Sequence, residues 1–180
     1  MTREEMRDVI AKEDMEMFLN IDIAELEAIT KAIIEAKRIF VAGWGRAGNC
    51  VKILSMNCSQ MGLKTHIVGD NSTPSIHEGD LLVIGSGKGT TETMVEIAKQ
   101  CKEHGAKLAL ITAARESTIG DMADMVVHIP RKEFDPDGVP MARGSYYQVL
   151  VMTVDLIMAY VMQDLGLKGE VIGFYHNNLE

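Results

Sequence analysis

Residues 40–48 read FVAGWGRAG, a short apolar run that ends in G-x-G-x-x-G. Residues 81–93 read LLVIGSGKGTTET and repeat the plan: a buried-looking run, then glycines, then the start of a helical pattern. A β-rich run that stops at glycines and hands over to a helix is the signature of an α/β unit. Two such units in one chain call for a parallel sheet, so the rest of the sequence is read outward from them.

Upstream, residues 1–21 alternate charge with Met and Ile and predict an amphipathic helix. A second helix is expected from Asp22, which with Glu25 has the D-x-x-E spacing of a capping box; Leu26, Ile29, Ile33 and Ile34 then recur at helical spacing to Lys37. From there strands and helices alternate. RIFVAG is a strand and 47–61 a helix; THIVG (65–69) is a strand, then a loop, DNSTPS. DLLVIGS is a strand, followed by a helix over 90–104 that Gly105 stops. KLALIT is a strand, 117–122 a short helix, MVVHIP (125–130) a fifth strand and 146–165 a long last helix. The pattern predicts an α/β fold: a five-stranded parallel sheet, doubly wound as an α/β/α sandwich with leading N-terminal helices. The expected organisation is a single domain over 1–180, with helices at 1–37, the α/β core at 38–165 and a tail at 166–180. One segment breaks the alternation. Residues 130–144 hold three of the four prolines and an Asp-Gly pair, and a loop of this length suggests function.

The totals set bounds. A chain of 180 residues with 47% hydrophobic and 24% charged residues has the composition of one soluble domain. A net charge of −8 speaks against a nucleic-acid or anionic-membrane surface, although one local group of N–H donors and cations can still hold a small anion. Three cysteines, Cys50, Cys58 and Cys101, form no CxxC, and the five histidines form no paired metal motif. They read as reduced core cysteines of a protein without a metal. The charged N-terminus has no apolar signal region, and no apolar stretch reaches the roughly 18 residues that span a bilayer. A cytoplasmic protein is expected.

Both glycine loops sit where backbone N–H groups and the helix dipole favour an anion. For the first loop the dinucleotide reading has support, because Asp70 lies 22 residues beyond Gly48, where a ribose-binding acid belongs. The bland alternative is that its glycines only let helix and strand pack closely. The second loop is richer: Ser86, Thr90, Thr91 and Thr93 bring hydroxyls and Lys88 a cation. It is not a P-loop, because Gly89 follows the lysine.

Taken together, GWGRAG, the VGDNSTPSIHEGDLLV run, SGKGTTET, the VPM segment before the last helix and the final HNNLE resemble the sugar isomerase (SIS) domain family. Within it the chain is most similar to the 6-phospho-3-hexuloisomerases, which interconvert 3-hexulose 6-phosphate and fructose 6-phosphate. The resemblance covers nearly the whole chain and favours a phosphosugar over a dinucleotide. It implies a homotetramer with sites between subunits and no cofactor. It implies that Ser86, Gly87, Lys88 and Thr91 hold the phosphate and that Gly45 and Arg46 face the sugar or phosphate. It also implies that His176 enters a neighbouring subunit's site as acid/base. Separately, Glu180 lies four residues past His176 and orients its imidazole if the tail is helical.

Three positions depart from the family pattern. Ala47 stands where a serine is usual, and Lys88 replaces another serine, which exchanges hydroxyls for a charge. The family's phenylalanine–glutamate pair reads Tyr146–Tyr147, so Tyr147 takes the place of the usual proton-transfer glutamate. A carboxylate suits removal of a proton beside a carbonyl, whereas a tyrosine, with a reference pKa near ~10, is a poor base. A histidine titrates near neutral pH, so the chemistry is expected to fall to His176, with Tyr147 donating to the oxyanion. The alternative the departure raises is a non-catalytic phosphosugar-binding module.

Overall fold

The computed structural model describes residues 1–131 and 146–179. Its elements are α1 (Arg3–Leu19), α2 (Ile23–Glu35), β1 (Ile39–Gly43), α3 (Gly45–Gln60), β2 (Thr65–Ile67), β3 (Leu81–Gly85), α4 (Glu92–Glu103), β4 (Lys107–Thr112), a 3-10 turn (Gly120–Met122), β5 (Met125–His128), α5 (Tyr146–Asp164) and α6 (Gly169–Tyr175). The five strands form one parallel sheet in the order β2-β1-β3-β4-β5.

Alternation along the strands divides the interior in two. Ile39 and Val41 of β1 face a core shared with α1, α2, α3 and α5, while Phe40 and Ala42 face the core that α4 closes. Successive side chains of a strand point to opposite faces, so a strand covered on both sides is apolar throughout. The covering is unequal: four helices lie on the first face, α4 and the 3-10 turn on the second. Among the described residues no single helix is long and apolar enough to cross a membrane. The apolar α5 is a core helix, with Val149, Leu150, Val154, Ile157 and Val161 fully buried.

Several local expectations need correcting. The capping box belongs to α1, where Thr2 and Glu5 bond reciprocally. Asp22 does cap α2, accepting from Ala24 N, but the Glu25 carboxylate is drawn away to the His128 N–H at 2.7 Å and ties α2 to β5. The helix expected over 117–122 shrinks to the 3-10 turn, with Ser117 Oγ accepting the Gly120 N–H at its start. The expected tail contains α6. Cys58 and Cys101 are buried, but Cys50 is only half-buried. Burial pushes the Cys58 thiol up to about 12 and the Cys101 thiol to about 11, so both stay protonated and inert at neutral pH. The segment 132–144, most of the proline-rich loop, lies outside the described residues, as does Glu180.

Candidate functional site

The strand order places the two glycine loops at one point. The chain leaves β1 through α3 towards β2, on one side, and leaves β3 through α4 towards β4, on the other. The neighbouring strands β1 and β3 are therefore the topological switch point, where an open α/β sheet leaves a crevice beyond the carboxyl ends of its strands. Gly43 and Gly85 end the two strands and are direct register partners. Both loops leave the sheet at the same level, on opposite walls of that crevice.

In the first loop the close-packing role is real. A Cβ on Gly43 would lie 2.7 Å from Gly48 Cα, and one on Gly85 2.7 Å from Val51 Cβ. These glycines bring the start of α3 down onto the sheet. Gly45, at φ +57, is different: nothing lies near a Cβ there, and its positive φ turns the chain into α3. Among the described residues no side chain caps α3, and the N–H groups of its first turn, Gly45, Arg46 and Ala47, have no partner within the helix. Ala47 is buried and Arg46 is exposed.

The second loop is pinned inward at its root and open at its crown. Ser86 donates its N–H to Ile111 O at 3.1 Å, and Gly87 O accepts from Ala113 N at 3.2 Å and from Thr112 Oγ1 at 3.4 Å. Ser86 Oγ, buried with its residue, accepts the Gly89 N–H at 3.2 Å. Gly89 sits at φ +63, and a Cβ there would run into Ser117 Oγ. Among the described residues, the N–H groups of Gly87, Lys88, Thr90 and Thr91 have no hydrogen-bond partner. Thr91 is the N-cap of α4 but makes no side-chain cap, whereas Thr2 and Asp22 cap α1 and α2. Only one of the four hydroxyls therefore serves the loop's own backbone. Lys88, Thr90, Thr91 and Thr93 are exposed. An uncapped helix start, a set of unpartnered N–H groups and a lysine make a receptor for a tetrahedral anion.

α5 closes the crevice. Its first residue, Tyr146, is buried, with its hydroxyl donating to Ile111 O at 2.7 Å and its ring against Gly87. Burial, with the neighbouring Tyr147 and Cys50, drives the Tyr146 phenol far above its ordinary range, so it acts only as a donor or acceptor of hydrogen bonds. Tyr147 meets Tyr146 edge-on with ring centroids 5.5 Å apart, and the Arg46 guanidinium lies over the Tyr147 ring at 4.1 Å. The structure thus brings Arg46 and Tyr147 together and puts the loop of Ser86, Gly87, Lys88 and Thr91 across the crevice from Gly45.

It does not bring His176 there. Tyr175 packs against Gly62, just past the C-terminal end of α3, while Arg46 is at the N-terminal end. The helix has 16 residues, about 24 Å at ~1.5 Å each, so His176 and Arg46 of one chain stand at opposite ends of it. Asp70, the expected ribose acid, lines a separate cleft of about 290 Å³ with Lys52, Ser55 and His66, none of whose lining residues belongs to either glycine loop. Among the described residues no group of three His, Cys, Asp or Glu is placed to hold a metal ion.

Sequence reasoning named Tyr146 only as the residue at the family's phenylalanine position and missed Thr112 and Ser117. Thr112 bonds Gly87 O and also accepts from Ala114 N at 3.1 Å. The available signal was Gly89 within a glycine-rich turn, where a Cβ would run into Ser117 Oγ.

A model of the SIS domain matches residues 32–158. A 3-hexulose-6-phosphate isomerase of Mycobacterium gastri is 33% identical over 184 residues, spanning 100% of this chain and 88% of its own length. Its Bacillus subtilis counterpart is 34% identical, spanning 87% of each chain. Among solved structures, a Methanococcus jannaschii protein whose structure infers a molecular function of 3-hexulose-6-phosphate isomerase superposes with a TM-score of 0.85. It is 27% identical, over 98% of this chain and 99% of that one.

Proposed function

Since the chain belongs to the SIS domain family, we propose that it is a phosphosugar isomerase working in the β1/β3 crevice, with 3-hexulose 6-phosphate and fructose 6-phosphate as the expected pair. The observation that carries this reading is the register pairing of Gly43 with Gly85, which sets an open anion loop and an arginine on facing walls. The unpartnered N–H groups around Gly87 and Thr91, with Lys88, take the phosphate. The sugar chain then runs towards Gly45, Arg46 and Tyr147.

The reaction removes a proton from C2 of the 3-ketose, passes through an enediolate and returns a proton to C3. The hydroxyl proton moves from O2 to O3. The step needs a base and donors aimed at the developing oxyanion, and no cofactor. Arg46 and the Tyr147 hydroxyl supply the donors. The base is His176 of a neighbouring copy, because His176 of the same chain lies at the far end of α3. The functional unit is accordingly a homo-oligomer, a tetramer by family pattern, of one-domain subunits acting in the cytoplasm, with no nucleic-acid or membrane partner.

The test is to incubate the purified protein with 3-hexulose 6-phosphate and follow fructose 6-phosphate with a coupled dehydrogenase. Product formation supports the reading. A specific observation favours a second one, a phosphosugar-binding module without turnover: no carboxylate stands at Tyr147, and one face of its ring is taken by Arg46. Tight binding of fructose 6-phosphate without turnover would decide for that module.

A further inference from the structure

Resting on the anion-site reading of the second loop, we propose that Tyr146 is the positioning residue that sets both walls of the crevice at once. Its hydroxyl reaches Ile111 O at 2.7 Å, the same carbonyl that accepts the Ser86 N–H at 3.1 Å. Ser86 is the first residue of the anion loop, so one carbonyl of β4 anchors both the loop's root and the first turn of α5. The Tyr146 ring then lies along Gly87, close enough that a Cβ there would be 3.3 Å from Cδ1. On its other side it meets the Tyr147 ring edge-on, and that ring carries the Arg46 guanidinium. A continuous path of contact runs from the anion loop through two tyrosines to the arginine of the opposite wall.

The two parts of the side chain have separable tasks. The hydroxyl fixes where the unpartnered N–H groups of Gly87 and Lys88 point, because it holds the carbonyl to which the loop is tied. The ring fixes Tyr147, and through it Arg46. A phenylalanine at this position would keep the second task and lose the first. Loss of the hydroxyl also leaves no polar atom stranded, since Ile111 O keeps the Ser86 N–H. Tyr146→Phe should therefore fold normally, which makes it the informative variant.

The experiment is a titration with fructose 6-phosphate and, separately, inorganic phosphate, read by the fluorescence of Trp44. This is the single tryptophan of the chain, exposed in the first glycine loop. Wild type, Tyr146→Phe, Tyr146→Leu and Lys88→Ala are compared, with isothermal calorimetry as the second readout and urea unfolding as the check on folding. Tyr146→Phe is expected to weaken both ligands about fivefold, the size of one net hydrogen bond, while unfolding stays cooperative at a slightly lower urea midpoint because the folded state also loses that bond. Where turnover is measurable the same change appears in KM while kcat is held, and Tyr146→Leu lowers kcat as well. Wild-type affinity in Tyr146→Phe, or a loss shared equally by kcat and KM, would overturn the proposal. Failure of the anion-site reading looks different: wild type and Lys88→Ala would both ignore phosphate.

Discussion

The Arg46 guanidinium lies 4.1 Å above the centroid of the Tyr147 ring, joining the first turn of α3 to the first turn of α5 across a hundred residues of sequence. The ring quadrupole attracts the guanidinium, whose fork of N–H donors lysine cannot copy. On the proposed mechanism Tyr147 has two separable functions, a ring face that carries Arg46 and a hydroxyl that donates to the oxyanion. Tyr147→Phe should keep KM within about twofold and lower kcat on the order of 10²-fold, the cost of one oxyanion donor. Tyr147→Ala should raise KM as well, because Arg46 loses its support. Steady-state kinetics of the two variants against wild type checks this, and a wild-type kcat in Tyr147→Phe would remove the hydroxyl from the mechanism.

Gly43→Ala tests the packing that brings the loops together. The new Cβ would meet the backbone of Gly48 at 2.7 Å, so strand and helix must separate rather than a side chain turn aside. Overpacking of this kind costs about 1–3 kcal/mol and here also widens the crevice. Urea unfolding should show that loss of stability, and phosphate affinity should fall with it. Gly45→Ala makes the contrast. It has open space and suffers only its positive φ, an expected cost of about 1 kcal/mol.

What the sequence made legible follows from which interactions are local. The strands were readable because β1, β3 and β4 are apolar on both faces and bounded by Gly, Asp or Lys. The order β2-β1-β3-β4-β5 was not, since nothing local says on which side of β1 the chain will place β3. Glu25 shows the same limit in miniature. Its spacing from Asp22 is that of a capping box, but a backbone N–H 103 residues away at His128 competes for the carboxylate and wins. α6 was hidden because GEVIGFY begins and breaks on glycines, and its place comes from Tyr175 packing on Gly62. Of the site, the residue types of both loops were readable. The Tyr146–Ile111 bond was not: adjacent tyrosines look alike in sequence, and only the rotation of α5 buries the first.

Acid should weaken the fold through two carboxylates far from the crevice. Asp80 is 2% exposed, and burial alone would raise its carboxyl. The hydrogen bonds from Arg38, at 2.6 Å and 3.1 Å, and from His77 N at 2.9 Å, with the charge of Arg38, hold it below its usual value instead. For Asp124, burial again raises, while Lys102 Nζ at 2.6 Å and Leu108 N at 2.7 Å pull it down. A depressed folded value means the unfolded chain binds more protons in acid. The stability these groups give is therefore complete above about pH 4, the unfolded value, and drains as pH falls through the folded value. Asp80→Asn should lose roughly 1–3 kcal/mol at pH 7 and flatten the acid limb of a urea-midpoint series between pH 7 and pH 3.

The position of His176 makes the last prediction, that the site is completed in trans. Tyr175 anchors α6 to the end of α3 opposite Arg46, so a chain whose own crevice is intact still needs a histidine from another copy. His176→Ala and Lys88→Ala should each lose at least about tenfold in kcat/KM, the first through proton transfer and the second through anion binding. Mixed, partly unfolded and refolded together, the two impaired proteins should regain turnover above either alone, because a hybrid pair can assemble one crevice with Lys88 from one chain and His176 from the other. Refolding each variant alone is the control and should restore nothing. If the mixture stays as impaired as its components while an affinity tag on one variant co-purifies the other, His176 does not cross between subunits and the proton must be taken by another group.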